Sequence, residues 1–553
     1  MFNATLHRNI YLVLLTLLGG CMVTSVGLSN VVWVLMLANW LLEGRWKDKW
    51  QRARESRLLQ AFAVLFLVHV VALLWTSNLA AGLDIVENRL PLLAVPLIVL
   101  TTPPPEDNTR RFILNFYGLT VLIVTFIGLV RWLTIPDLPH REIVTYIHHS
   151  RFSLNVCMVI FLLVLSFRHT NLTTHHSPLI THHSSLITHH SPLITHHSSL
   201  ITHHSSLITQ ILKILLILWF LFFLLLMRSY TGVAVLAVAS LVAILRYRRR
   251  WQWIASWMAL AGLLIVMAVM GCRSYYRLVP LASQPLQEYT ANGRPYLHKQ
   301  DGLIENGNYL TNYLCIEELY SEWSRRSAVP IDSTTPSGYS VESALIRYLN
   351  ALGLTKDSAG VAALTDSQVD EIGRGIANPV YAHGSPFKKM LYVALFEYEN
   401  YRCYRAVEGF TMLQRLELWR CASGVIAKHP LFGTGVGDLH DEMHTQFVAM
   451  DSPMLKNELF PHNEYLTLIA MFGFAGFALI AFFFLRAWHH TRKQTDNNLL
   501  STHSLALPCT PSHSLLKTLW LVTILLSFLT ENTLDSLPGV LFCTWFLAFR
   551  HDG

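Results

Sequence analysis

Charge is scarce in this 553-residue chain. Asp, Glu, Lys and Arg together make up 14% of it, while 52% is apolar. Soluble domains carry about a quarter charged residues. Apolar runs of roughly 17 to 22 residues recur, so the composition excludes an ordinary soluble fold and indicates a polytopic membrane protein. The eight cysteines, Cys21, Cys157, Cys272, Cys315, Cys403, Cys421, Cys509 and Cys543, include no CxxC pair, which argues against a structural zinc site. Glycines 433, 435 and 437 lack both the preceding strand and the GxGxxG spacing of a dinucleotide fingerprint. The formal charge of +7 is no nucleic-acid signal. Its lysines and arginines sit in short clusters beside apolar runs, where they set topology. The first run, Ile10 to Val26, has no small-residue cleavage site and reads as a retained span.

The apolar runs predict membrane-spanning helices over 10–26, 28–42, 58–75, 86–101, 112–132, 152–168, 211–227, 231–246, 253–271, 464–485, 516–531 and 537–549. Helices satisfy their own backbone in lipid, and open strands do not. The fourth run is interrupted by Pro91 and Pro96, and the last is short. The predicted fold is therefore all-α, with about twelve spans. Three basic loops, 43–57, 246–250 and 486–493, fall on one side if the N-terminus is cytoplasmic, as the positive-inside rule requires. Residues 1–271 then form a first set of nine helices, 272–463 a large outer loop domain, and 464–553 the last three helices. The outer region has mixed charge and enough length for its own small core. Cys315, Cys403 and Cys421 lie inside it and Cys272 at its edge. One disulfide among them and free buried thiols both remain open.

Between spans six and seven, THHSPLI or THHSSLI repeats five times in tandem from Thr174 to Ile208, holding ten of the 27 histidines. A metal-binding tract is one reading. The near-perfect repetition favours the other, a slipped-repeat expansion in a cytoplasmic loop. Leu-Ile once per heptad is too sparse a seam for a coiled coil.

Topology delivers several ionisable residues to the outer face. Arg151 stands in IHHSRF at the outer end of span six, and Arg228 in the tight turn between spans seven and eight. Arg415 stands in RLELW, and His462 in PHNEYL at the outer end of span ten. Arginine offers a permanently charged fork suited to phosphate oxygens, and histidine is the readiest general base near neutral pH. Plainer readings stand beside these. Arg151 reads as a snorkelling anchor. Arg415 and Trp419, four residues apart, suit a cation–π pair. Asn463 suits a helix cap. Gly433, Gly435 and Gly437 suit either a tight turn or an anion-cradling one.

Taken together, RLELW, AKHPLFGTGVGD, HNEYL and the small-residue helix MFGFAGF resemble the signature of the O-antigen ligase/polymerase family. These integral membrane glycosyltransferases use undecaprenyl-diphosphate-linked glycans outside the cytoplasmic membrane. MRSYTG resembles the family's Ser-Arg turn. The large loop before span ten resembles the ligase branch found in Bacteroidetes-like bacteria. The resemblance covers most of residues 80–550, the heptad insert excepted. It implies a GT-C-like fold and a metal-independent, cofactor-free, inverting transfer to a lipid A–core acceptor. His462 would be the base, and Arg415, Arg151 and Arg228 would hold the donor diphosphate. Asn463, Glu531, Trp419, Gly433 and Gly435 would support them. Arg228 departs from the family pattern, because Tyr230 occupies the place directly before Thr-Gly. Within the same class, a polymerase or a ligase to another acceptor is the alternative. A transporter of lipid-linked glycans is the alternative from another class, and it predicts charges spread through the helices. A non-catalytic protein with a degenerate site is the third.

Overall fold

The computed structural model describes residues 4–135, 138–173, 194–227, 229–247, 286–299, 303–305, 307–335, 339–404, 411–455, 460–501 and 511–549. Arg228, the predicted span 253–271 and most of the heptad insert lie outside the described residues. The chain divides into two compact units. Unit 1 comprises Met1–Arg249, Cys421–Gln446 and Leu459–Gly553, and unit 2 comprises Arg250–Arg420 and Phe447–Glu458.

Unit 1 is helical. Helix α1 (Ala4–Thr24) gives way to α2 (Val26–Glu43) at Ser25, whose hydroxyl accepts from the Leu28 N–H at 3.3 Å. The basic α3 (Trp46–Glu55) leads to α4 (Arg57–Val71), capped by Ser56. The run predicted as one helix over 86–101 is two short ones, α5 (Leu79–Asn88) and α6 (Pro91–Thr101). Proline at the first turn of α6 lacks the N–H that would continue α5. Helices α7 (Asp107–Thr134), α8 (His149–Thr173), α9 (Ile194–Leu226) and α10 (Tyr230–Tyr247) follow. Among the described residues, seven helices are long and apolar enough to cross a membrane, and shorter apolar helices accompany them. The chain is thus a multi-pass, mainly helical membrane protein.

Several buried polar side chains inside this unit are paired across helices, as an apolar surrounding favours. The Trp545 indole donates to the Leu15 carbonyl at 2.9 Å, and the ring packs against Gly19. Tyr117 bonds Asn155 between α7 and α8, Trp219 bonds Thr125 between α9 and α7, and Trp40 bonds Thr101 between α2 and α6.

Unit 2 has a core of its own. A two-stranded antiparallel ribbon, β1 (Ile304–Glu305) and β2 (Asn308–Tyr309), precedes α11 (Ile316–Arg326) and α12 (Val341–Leu352). Short helices α13 (Ser358–Ala362), α14 (Asp366–Gly373) and α15 (Pro379–His383) lead to α16 (Pro386–Tyr404). Leu319, Trp323, Leu345, Tyr348, Leu349 and Ile372 form the apolar centre. The carboxylate of Glu305 lies in the interior. It accepts from Arg347 at 2.9 and 3.1 Å, from Asn378 at 3.0 Å and from Tyr392 at 2.8 Å. Burial pulls the Arg347 guanidinium down, but that carboxylate outweighs it and pushes the group up. Cys315 is a buried thiol, and Cys421, in unit 1, is buried as well, neither in a disulfide among the described residues.

The last described elements are α17 (Thr411–Lys428), α18 (Leu439–Ala449), α19 (Glu464–Ser501), α20 (Pro511–Thr530) and α21 (Leu537–Trp545).

Candidate functional site

The site is built at the start of α19. Asn463 caps the helix, its side-chain oxygen accepting from the Leu466 N–H at 3.2 Å. His462 precedes the cap with φ +50°, a left-handed conformation uncommon outside glycine. Held there, it is free of the capping duty that Asn463 performs, and its side chain is 38% exposed. Its Nδ1 lies 3.9 Å from Oε2 of Glu531, which is only 9% exposed. A solvent-reachable imidazole backed by a sheltered carboxylate can take a proton and have the resulting charge stabilised.

Glu531 opens the turn between α20 and α21, and the same turn organises the rest. Asn532 presents its side-chain oxygen to Thr467 at 3.3 Å and its carbonyl to the Arg151 guanidinium at 3.2 Å. Arg151, the third residue of α8, therefore turns inward, and its Nε is buried with no hydrogen-bond partner among the described residues. A snorkelling anchor would point the opposite way. Glu464, fully buried at the first position of α19, accepts from the Leu534 N–H at 2.9 Å. Its second oxygen, Oε1, has no partner among the described residues.

Behind the turn is a group that sequence reasoning missed. Arg89, 2% exposed at the end of α5, donates to Asp535 and to His69 Nε2. His69, wholly buried near the end of α4, is then the tautomer whose Nδ1–H donates to the Leu65 carbonyl at 2.7 Å. Phe472 packs edge-on to its ring at 4.6 Å. The available signal was an ionisable histidine inside an otherwise apolar run and an arginine beside a proline-broken span. Intramembrane ionisable groups mark function by default.

The glycines serve another purpose. Gly433 and Gly435 have φ +71° and +93°, and Gly473 breaks α19 at φ +66°. The 430–435 loop lies backbone to backbone on that break. Thr434 N–H donates to the Ala470 carbonyl at 2.9 Å and Gly435 N–H to Met471 at 3.0 Å. In return, Phe474 N–H donates to Pro430 at 2.8 Å and Ala475 N–H to Leu431 at 3.1 Å. A Cβ on Gly433 or Gly473 would intrude into the opposite backbone. The amides of Thr434 and Gly435 are thus occupied, so the shaping role holds and the anion cradle does not. Asp438 then ties the segment to another loop, accepting from the Ser77 and Asn78 N–H groups at 2.7 Å each. These bonds explain why Cys421–Gln446, read from sequence as part of the outer loop, packs within unit 1.

Arg415 and Trp419 lie in α17 and belong to unit 2, both half-buried. Between them, the buried Glu417 accepts from Tyr401 and from Ser452 at 3.0 Å each. The structure thus gathers His462, Asn463, Glu531 and Arg151 around one turn in unit 1.

Unit 1 thus carries a histidine–carboxylate pair and an inward arginine at the ends of its apolar helices. A family model described as O-antigen ligase matches residues 359–481. The match takes in Arg415, Trp419, Gly433, Gly435, His462 and Asn463, and leaves Arg151 and Glu531 outside it. No curated protein matches the chain.

Proposed function

We propose that this protein transfers a glycan from undecaprenyl diphosphate to a lipid A–core acceptor at the periplasmic face of the bacterial inner membrane. The observation that carries the reading is the exposed His462 imidazole backed by Glu531 at 3.9 Å. His462 takes the proton of the acceptor hydroxyl. The oxygen attacks the anomeric carbon from the face opposite the diphosphate, and the carbon–oxygen bond to the diphosphate breaks with inversion. The negative charge that develops on the leaving group is met by arginine, Arg151 at the turn and, as the resemblance implies, Arg228 and Arg415, cations that need no metal. With the twelve spans read from the sequence and the three basic loops in the cytoplasm, this chemistry lies outside.

The placement of ionisable groups around this turn favours an enzyme over a transporter. His69, Arg89, Arg151, Glu464 and Asp535 all stand at or within a few residues of helix ends around one turn, rather than along a path through the helices.

A deletion strain tests the reading. Its lipopolysaccharide should lose the capping glycan while full-length glycan accumulates on the lipid carrier. Core bearing a single repeat unit would assign a polymerase instead, and unchanged lipopolysaccharide would reject both.

A further inference from the structure

Helices α4, α19, α20 and α21 surround a cavity of about 1320 Å³, above the roughly 300–1,000 Å³ of small-molecule pockets. Its wall is aromatic and aliphatic along its length, with Phe62, Phe477, Phe484, Trp520, Leu521 and Phe528 facing in. Among the described lining residues charge is confined to one end, where Arg52, Arg57 and Lys517 meet a single acid, Glu55. The polar partners of the two arginines there are neutral. Arg52 donates to the Thr101 carbonyl at 3.1 Å and Arg57 to the Gln60 side-chain oxygen at 3.1 Å. Neither is in an ion pair among the described residues.

This end is remote from the His462 turn. Helices α4 and α19 run antiparallel, with Phe62 on Phe484 near one end and His69 on Phe472 toward the other. The opposite end of the cavity carries no charge. Its Tyr465 donates its hydroxyl to the Leu525 carbonyl at 2.9 Å. A polyprenyl chain hung from the His462 turn would enter by that uncharged end and leave Arg52 and Arg57 without an anion. A zwitterionic or neutral lipid would leave them unmatched as well.

We infer that the cavity holds an anionic phospholipid, its phosphate on Arg52, Arg57 and Lys517 and its acyl chains along the wall of α19 and α20. Basic pockets between membrane helices are suited to such headgroups. An arginine fork without a carboxylate partner has the geometry for phosphate oxygens. The inference rests on the membrane-spanning reading of these helices and is independent of the ligase reading.

The full-length protein, reconstituted in vesicles of phosphatidylethanolamine and phosphatidylglycerol and re-extracted in mild detergent, is examined by native mass spectrometry. Phosphatidylglycerol should be retained in preference to phosphatidylethanolamine. Arg52→Gln and Arg57→Gln should each weaken retention about fivefold, equivalent to about 1 kcal/mol per cation near the membrane surface. Ala481→Phe, which fills the cavity and leaves the charges in place, should displace the lipid. Equal retention of the two lipids, unchanged retention in Arg52→Gln/Arg57→Gln, or a polyprenyl phosphate from the cell membrane in place of the phospholipid would overturn the inference. If the arginine variants fail to insert, the wild-type lipid preference and Ala481→Phe decide it.

Discussion

His462 Nδ1 and Glu531 Oε2 face each other at 3.9 Å across the join between α19 and the α20–α21 turn. If the carboxylate stabilises the imidazolium that forms as the acceptor is deprotonated, the two residues should differ in severity. His462→Ala should lower transfer by about 10²-fold or more. Glu531→Gln keeps shape and removes charge, and should lower it roughly tenfold, the rate equivalent of about 1.4 kcal/mol. In vitro transfer with membrane insertion checked in parallel measures both. Wild-type activity in His462→Ala would exclude it as the base.

Arg89, 2% exposed, pairs with Asp535, whose side chain is 27% exposed, and the pair supports the same turn. Removing Asp535 leaves the Arg89 charge buried and unmatched, at a cost of up to about 3–5 kcal/mol. Asp535→Leu should therefore lower the thermal unfolding temperature in detergent more than the double substitution Arg89→Met/Asp535→Leu does. Additive losses in that cycle would show that the pair is not coupled.

Gly433 and Gly473 press backbone to backbone at positive φ. Alanine at either position combines left-handed strain with overlap, so the folded yield should fall steeply, by the equivalent of at least 1–3 kcal/mol. Gly27 in α2 has open space around it, and Gly27→Ala should be neutral or raise stability by up to about 1 kcal/mol. Size-exclusion profiles of the tagged protein compare the three.

Lys356 in unit 2 donates to the Asn312 carbonyl at 3.0 Å and to Asn350 at 2.8 Å. Burial pulls its ammonium from the ordinary 10.5 down to about 8. Between these two values the unfolded chain holds a proton that the folded chain has released. Stability should therefore rise with pH across that window and stay flat below it. Hydrogen exchange of α12, corrected for intrinsic rate, should slow accordingly. Lys356→Met should abolish the rise.

The helices and half of the site could be read from residue order, because both are local properties. Apolar runs specify spans, and Pro91 warned of the α5–α6 break. His462, Asn463, Arg151 and Glu531 stood at run ends, where charge meets lipid. Arg89, His69 and Asp535 could not be paired that way. Each alone reads as a helix-end polar residue, and their meaning comes from contacts made across hundreds of residues. The glycines showed a turn but not its partner, since backbone hydrogen bonds to α19 leave no side-chain trace.

The interlock of the 430–435 loop with the break in α19 also bears on access. A gate needs torsions that turn at low energy and amides that can change partners. Here the torsions are confined to glycine-only values and the amides are committed to fixed carbonyls. The loop therefore travels with α19 as one body, and any opening that admits a long lipid-linked substrate lies elsewhere along the rim of unit 1.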